Sequence, residues 1–238
     1  MINYYITHHT KHEILAIPEN RIPITPVGIV VHSTASPNPE LRRYVDAPRL
    51  LGNNLYGNHW NRSGVKKSPH IFVGLDKAGH IAACEVIPLN LACWGCGGTK
   101  KGSFNYPPTA HIQIEFCEGY TTDTQYFYTG FTYLVELVAD LCRKYGFTAD
   151  KICSHKEAAA LGYASNHGDP ESYFSRFGET MDSFRVAVAA KLKTAKADTI
   201  YRVQVGAFKS KENAQKMADE LSAIGYPVII KEGKINEL

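Results

Sequence analysis

The stretch Val27-Gly28-Ile29-Val30-Val31-His32-Ser33-Thr34-Ala35, directly after Pro26, decides how the rest of the chain is read. Its first half is apolar and rich in β-branched residues, which crowd a helix but pack well on a pleated surface, so it reads as a short strand. The run stops abruptly at His32. A histidine at the end of a buried strand is held by a rigid element, which a metal ligand requires.

Partners for such a ligand stand far along the chain, in Cys153-Ser154-His155-Lys156-Glu157 and Ala164-Ser165-Asn166-His167-Gly168-Asp169-Pro170. Gly162, Gly168 and Pro170 are turn formers and predict a loop across this region. Taken alone, a loop histidine is usually a solvated or hydrogen-bonded side chain and nothing more. Histidine together with carboxylate suits a borderline cation such as zinc, however, and catalytic zinc sites take three protein ligands and keep a fourth position for water. One ligand has to come from outside the loop, and His32 is available.

The remaining pattern predicts an α/β fold, a mixed central sheet flanked by helices. Residues 1–25 are polar and punctuated by Pro18 and Pro23, and read as an extended arm lying on the domain. Asn38-Pro39-Glu40 resembles the start of a short helix. The runs 68–75 and 80–87, joined by Asp76-Lys77-Ala78-Gly79, read as a hairpin. Residues 110–117 form another strand, with Ile112, Ile114 and Phe116 alternating against Gln113 and Glu115. From 122 to 145 the spacing turns helical, with Phe127, Phe131, Leu134, Val138 and Leu141 on one face and Gly146 just past the end. A further helix over 184–192 closes a first domain of residues 1–192. Residues 193–199 are small and charged and read as a linker. Residues 200–238 follow as a small βαβ module, with strands at 201–208 and 226–231 around an amphipathic helix at 211–224.

Composition excludes some classes of function. The 238 residues allow one large domain, or one domain and a small module. With 44% hydrophobic and 21% charged residues the chain is an ordinary globular one. A net charge of +3 without a long Lys/Arg run gives no support to nucleic-acid binding. The first residues show no secretory signal and no stretch approaches a membrane span, so the expectation is a protein kept in the cytoplasm. Of the six cysteines, Cys84, Cys117 and Cys142 sit in apolar patterns as buried thiols. Cys93 and Cys96 form a C-x-x-C pair with no second pair to complete a four-cysteine zinc site, and read as structural or incidental. Cys153 is assigned no role.

Several blocks in order carry a resemblance. Val30-Val31-His32-Ser33-Thr34-Ala35, Pro69-His70-Ile71-Phe72-Val73-Gly74-Leu75-Asp76 with Gly79, Cys93-Trp94-Gly95, Ile112-Gln113-Ile114-Glu115, Ser154-His155 and Asp169-Pro170 together resemble the zinc-dependent N-acetylmuramoyl-L-alanine amidases, the family that includes phage lysozymes and the peptidoglycan recognition proteins. The likeness covers most of residues 1 to about 190. Residues 201–208, Asn213-Ala214 and Gly225-Tyr226 resemble the opening half of a SPOR repeat, a module that binds glycan strands of peptidoglycan. The full module is βαββαβ, so the expectation is either a chain that ends early or two copies pairing into a homodimer.

The resemblance implies hydrolysis of the amide between N-acetylmuramic acid and L-alanine in peptidoglycan, with Zn²⁺ on His32, His155 and Asp169. It implies Glu115 as the proton shuttle. His167 stands where relatives often carry a lysine that stabilises the tetrahedral intermediate, and the alternative is that His167 replaces His155 as a ligand. His70 and Trp94 belong to blocks that line the cleft in the family and are expected to touch substrate. Trp60, with Tyr56 and His59, either faces sugars or packs its own loop. Many relatives have Trp-His where this chain has Trp94-Gly95, a departure that bears on substrate preference. A phage endolysin, freed to the wall through a separate membrane pore, and a bacterial autolysin both fit. The alternative is a non-catalytic peptidoglycan-binding protein on the same scaffold. Further rivals are an amidase acting on soluble muropeptides and a glycosidase using Glu115 and Asp169 as a carboxylate pair.

Overall fold

The computed structural model describes residues 2–194, 207–223, 228 and 230. Six strands, β1 (Tyr4–Ile6), β2 (Ile29–Ser33), β3 (Ile71–Leu75), β4 (Ile81–Glu85), β5 (Ile112–Phe116) and β6 (Ile152–Ser154), form one sheet in the order β1-β4-β3-β5-β2-β6. Every neighbouring pair is parallel except β3 with β4, which is the expected hairpin. Its turn is closed by the Asp76 amide donating to His80 and by Gly79 at φ +80°. The helices are α1 (Glu13–Ala16), α2 (Pro48–Leu51), α3 (Thr124–Tyr145), α4 (His155–Ala160), α5 (Glu171–Phe174), α6 (Met181–Lys193) and α7 (Lys211–Ala223). The sheet is mixed and carries helices, as the pattern of residues predicts.

Side chains alternate across a strand, so each strand sorts its residues between two faces. One face, made by Ile29, Val31, Ile71, Val73, Ile112, Ile114 and Phe116, packs against Phe127, Phe131, Leu134 and Val138 of α3 and Phe184 and Val188 of α6. Residues between them in sequence, Val30, His32, Phe72, Gln113 and Glu115, fall on the opposite face. There Phe72 joins Leu41, Tyr44 and Val86, while Val30 joins Phe104, Ala158 and Ala164. The polar residues of β2 and β5 therefore look away from the helical layer.

The long helix α3 forms for local reasons as well as for burial. Asp123 accepts a hydrogen bond from the Tyr126 amide at its start, and Gly146 ends it in the left-handed conformation at φ +71°.

Three stretches differ from expectation. The N-terminal arm adds an edge strand, β1, parallel to β4, and a first helical turn, α1. Three residues are too few to show a period. The loop expected over 153–170 begins instead as strand β6 and helix α4. Ser154 caps that helix, its hydroxyl accepting from the Glu157 amide while the Glu157 carboxylate accepts from the Ser154 amide. At Asn38-Pro39-Glu40 the Asn38 side chain accepts from the Glu40 amide, yet only a 3₁₀ turn follows, at Leu41–Arg43.

The chain divides into two compact units, Met1–Ala195 and Lys196–Leu238. In the second, the expected helix is present as α7. The strands expected at 201–208 and 226–231 lie outside the described residues, apart from 207, 208, 228 and 230.

Gly130 sits inside α3, where a Cβ would come 2.5 Å from Cζ of Phe116 on the sheet. Helix propensity alone favours alanine over glycine by about 1 kcal/mol. Overpacking against a buried ring costs about 1–3 kcal/mol and outweighs it, so Gly130→Ala is expected to lower the urea midpoint of unfolding. A raised midpoint would show that the ring yields freely.

Candidate metal centre

The strands β2 and β6 are parallel neighbours, with Val31 opposite Ser154. The residues that follow, His32 and His155, are thereby brought side by side at the same end of the sheet. His155 is the first residue of α4, and the cap that starts this helix fixes its direction of departure. Glu157 of that cap also accepts a two-pronged ion pair from Arg185 of α6, at 2.8 and 2.9 Å. Asp169, beyond the turn after α4, closes the group. One donor atom from each of His32, His155 and Asp169 lies within 4.8 Å of the other two, and all three residues are buried.

Hydrogen bonding decides which atoms face inward. Nδ1 of His32 is 3.1 Å from Asp169 Oδ2 and 3.1 Å from His155 Nδ1, and His155 Nδ1 is 3.4 Å from Asp169 Oδ1. The far nitrogen of His32, Nε2, donates to Gln113 Oε1 at 2.9 Å. The far nitrogen of His155 faces the Ser165 hydroxyl at 3.4 Å, and that hydroxyl donates to the Cys96 carbonyl. A neutral His32 with its proton on Nε2 therefore turns an Nδ1 lone pair toward His155 and the carboxylate. Two imidazole nitrogens and a carboxylate that face one another are a donor set suited to zinc.

The ionisation of His32 and Asp169 matches that chemistry. Burial lowers the pKa of His32, opposed by the hydrogen bond and the charge of Asp169, so the ring favours its neutral form. Burial pushes the Asp169 carboxyl up, but a proton on the facing imidazole of His155 or His32 outweighs this through hydrogen bonding and charge and holds the group well below the usual carboxylate range. Neutral imidazoles and an ionised carboxylate are the states in which these groups bind metal.

Glu115 lies directly opposite His32 in the β2–β5 register. Its Oε2 is shut from solvent without a hydrogen-bond partner. Burial, and then the nearby carboxylates of Asp169 and Glu118, push its carboxyl well above the ordinary value. His167 is not among the three converging residues. It lies flat on His155, ring centroids 4.5 Å apart, with Nδ1 3.8 Å from Asp169 Oδ1 and 60% of its side chain exposed. A cleft of about 330 Å³ opens between the segments that follow His32 and Asp169, bounded by Ala35, Glu118, Tyr120 and Arg176.

Of the aromatic residues expected to meet substrate, Trp94 is 37% exposed. Trp60 is partly buried, edge-on to Phe72 at 5.2 Å and packed with Tyr44. His70, expected to touch substrate, is fully buried and engaged by the protein itself. Its Nε2 donates to the Leu91 carbonyl at 2.8 Å, and its Nδ1 accepts from the Gln113 amide at 3.0 Å with the Cys93 thiol 3.1 Å away. Burial brings its pKa down to about 4, as fits a neutral ring that ties β3 to β5 and to the 91–93 segment. All six cysteines are free thiols, five of them buried.

Gln113 and Asn105 adjoin this centre, Gln113 through His32 and Asn105 through Gln113, and the sequence did not single them out. Gln113 stands two residues before Glu115 on the same face of a strand, and alternation reads it only as polar. What marks it is burial, since an unpaired carboxamide is not left inside a protein without a purpose.

An α/β domain with a His-His-Asp centre at the ends of parallel strands is the class these features define. A family model described as N-acetylmuramoyl-L-alanine amidase matches residues 23–172, and the chain belongs to that family and is a peptidoglycan amidase. A SPOR domain model matches residues 185–237. No curated protein sequence matches the chain. Among solved structures, the Staphylococcus aureus hydrolase AmiA with its ligand is similar at 19% identity and TM-score 0.54, over 81% of this chain and 83% of that one. The catalytic domain of XlyA is similar at 22% identity and TM-score 0.54, over 79% and 99%. A mutant endolysin from Bacillus subtilis is similar at 21% identity and TM-score 0.52, over 79% and 99%. At these identities the likeness is one of fold. Among the described residues no helix is long and apolar enough to cross a membrane.

Proposed function

We propose that His32, His155 and Asp169 hold one zinc ion, and that the amide between the lactyl group of N-acetylmuramic acid and L-alanine is cleaved beside it. The observation that carries this reading is the convergence of two imidazole nitrogens and a carboxylate within 4.8 Å of one another. Zinc bound there supplies Lewis acidity toward a carbonyl oxygen and makes water acidic enough to ionise near pH 7.

The chain's own groups supply the rest. Glu115 takes and returns the proton through its unpartnered Oε2, which sits on the face that carries His32. Its raised pKa suits it to deliver a proton to the leaving amine, and a cation nearby favours the ionised form that accepts one from water. His167, exposed and stacked on His155, is the candidate donor to the charge that develops on the carbonyl oxygen. The exposed ring of Trp94 is the candidate sugar contact. In this reading the segment that matches the SPOR model holds the enzyme on glycan strands, and pairing of two such segments is its route to a homodimer.

Metal analysis of the purified chain is expected to find one zinc, with almost none in His32→Ala, His155→Ala or Asp169→Ala and wild-type content in His167→Ala. Digestion of sacculi should release new alanine amino termini. A zinc-free active enzyme, or new reducing sugar ends in their place, would sink the reading. Glu115→Gln is expected to keep its zinc and lose about 10²–10⁴-fold in rate.

The same variant has a second signature in the metal-free protein. Between the ordinary value of 4.5 and the raised folded value, the folded chain holds a proton that the unfolded chain has lost, so stability falls as pH rises through that window. Glu115→Gln removes this fall, and a slope of unfolding free energy against pH equal to that of wild type would contradict the burial of charge proposed here. Removal of residues 196–238 is expected to reduce co-sedimentation with sacculi while hydrolysis of soluble muropeptides continues. Unchanged sedimentation would end the wall-binding role.

A further inference from the structure

We propose that Gln113 is a positioning residue of the metal centre, fixing the tautomer and direction of His32, and that Gly95 is glycine because any side chain there would dislodge it. The inference rests on the zinc reading above and adds to it the group that aims one of the ligands.

The orientation of the Gln113 carboxamide follows from the chain itself. Asn105 Oδ1 accepts from the backbone amides of Gly95 and Cys96, both at 3.1 Å. Backbone amides only donate, so that atom of Asn105 is the oxygen. The same oxygen lies 2.8 Å from the Gln113 side chain, which must therefore present its NH₂ group, and this group also points to the Phe104 carbonyl at 3.3 Å. The other end of the carboxamide is then Oε1, a pure acceptor, and it faces His32 Nε2 at 2.9 Å. A proton on Nε2 is required, and the neutral ring keeps its lone pair on Nδ1, the atom that meets His155 and Asp169. The Cys96 thiol donates to the same Oε1 at 2.9 Å. Asn105 is anchored in turn by its NH₂ group to the Gly97 carbonyl at 2.8 Å. Gln113 is fully buried and Asn105 almost so, and the network leaves neither amide a second orientation.

Gly95 completes the device. A Cβ at position 95 would lie 2.4 Å from Gln113 Oε1 and 3.1 Å from its Cδ. The carboxamide of Gln113 occupies the space that a side chain at 95 would need and uses it to hold His32.

The test needs two measurements on the full chain. Zinc affinity, by competition with a chromophoric chelator, is expected to fall about 10–100-fold in Gln113→Met, which keeps the volume and removes the acceptor, and to a similar extent in Gly95→Ala. Nitrogen NMR of the wild-type histidines, which needs no variant to fold, should find His32 with its proton on Nε2 in the metal-free and the zinc-loaded chain. A mere packing role would change stability without moving either readout. Zinc bound by wild type and Gln113→Met with equal affinity, or a His32 proton found on Nδ1, overturns the inference and leaves the zinc centre standing. A wild-type chain that takes up no zinc overturns the zinc reading, and this inference with it.

Discussion

Three electron-pair donors, the facing nitrogens of His32 and His155 and the Asp169 carboxylate, held within hydrogen-bonding reach of one another, are the constraint on which the rest of the molecule depends. Such a group would spread apart in a loop, where water would solvate each member separately. Here two of its members leave adjacent parallel strands, so their separation is set by the backbone ladder and not by side-chain choice. The opposite face of the same strands supplies the stabilisation. Ile29, Val31, Ile112 and Ile114 are fully buried under α3 and α6, and each such side chain contributes roughly 1.5–3 kcal/mol. A buried polar group without a partner costs about 1–3 kcal/mol. A few apolar residues on one side of β2 and β5 thus offset the polar residues on the other, and the sheet stays rigid under a site that would otherwise open.

The two polar networks around the site have different characters. Around Gln113 and His70 every ring nitrogen and amide has a partner, and both residues are held in one state. At Glu115 an oxygen is left unpaired in the interior. Satisfied groups hold position, and an unsatisfied one retains a reason to exchange a proton. The arrangement separates groups held in one state from a carboxyl that keeps an open hydrogen-bonding position.

Much of this was legible in the amino-acid sequence, and the exceptions have physical causes. An apolar run ending in His32, the Asp76–Gly79 turn and the helical stripe after Asp123 are local signals, and each formed as its pattern dictates. The joint placement of His32, His155 and Asp169 came from residue chemistry and family likeness, since nothing in spacing alone joins positions more than a hundred residues apart. The strand and helix around His155 were hidden by the glycines and proline that follow them, although Ser154 and Glu157 make a capping signature. The burial of His70 was not legible, because a histidine in a cleft-forming block and a histidine under it look alike in sequence. Gln113 was overlooked for the opposite reason. Alternation marks it as polar and thus outward, whereas the outward face of this strand is itself covered.

Both margins of the sheet are very short. At one side lies β1 and at the other β6, three residues each, and β6 turns at once into the helix that carries His155. A long unpaired margin offers a row of free backbone groups on which another copy can align and begin a fibrillar stack. Here no such template extends beyond a few groups, so the abrupt turn that delivers an imidazole to its place also guards against self-association of sheets at high concentration.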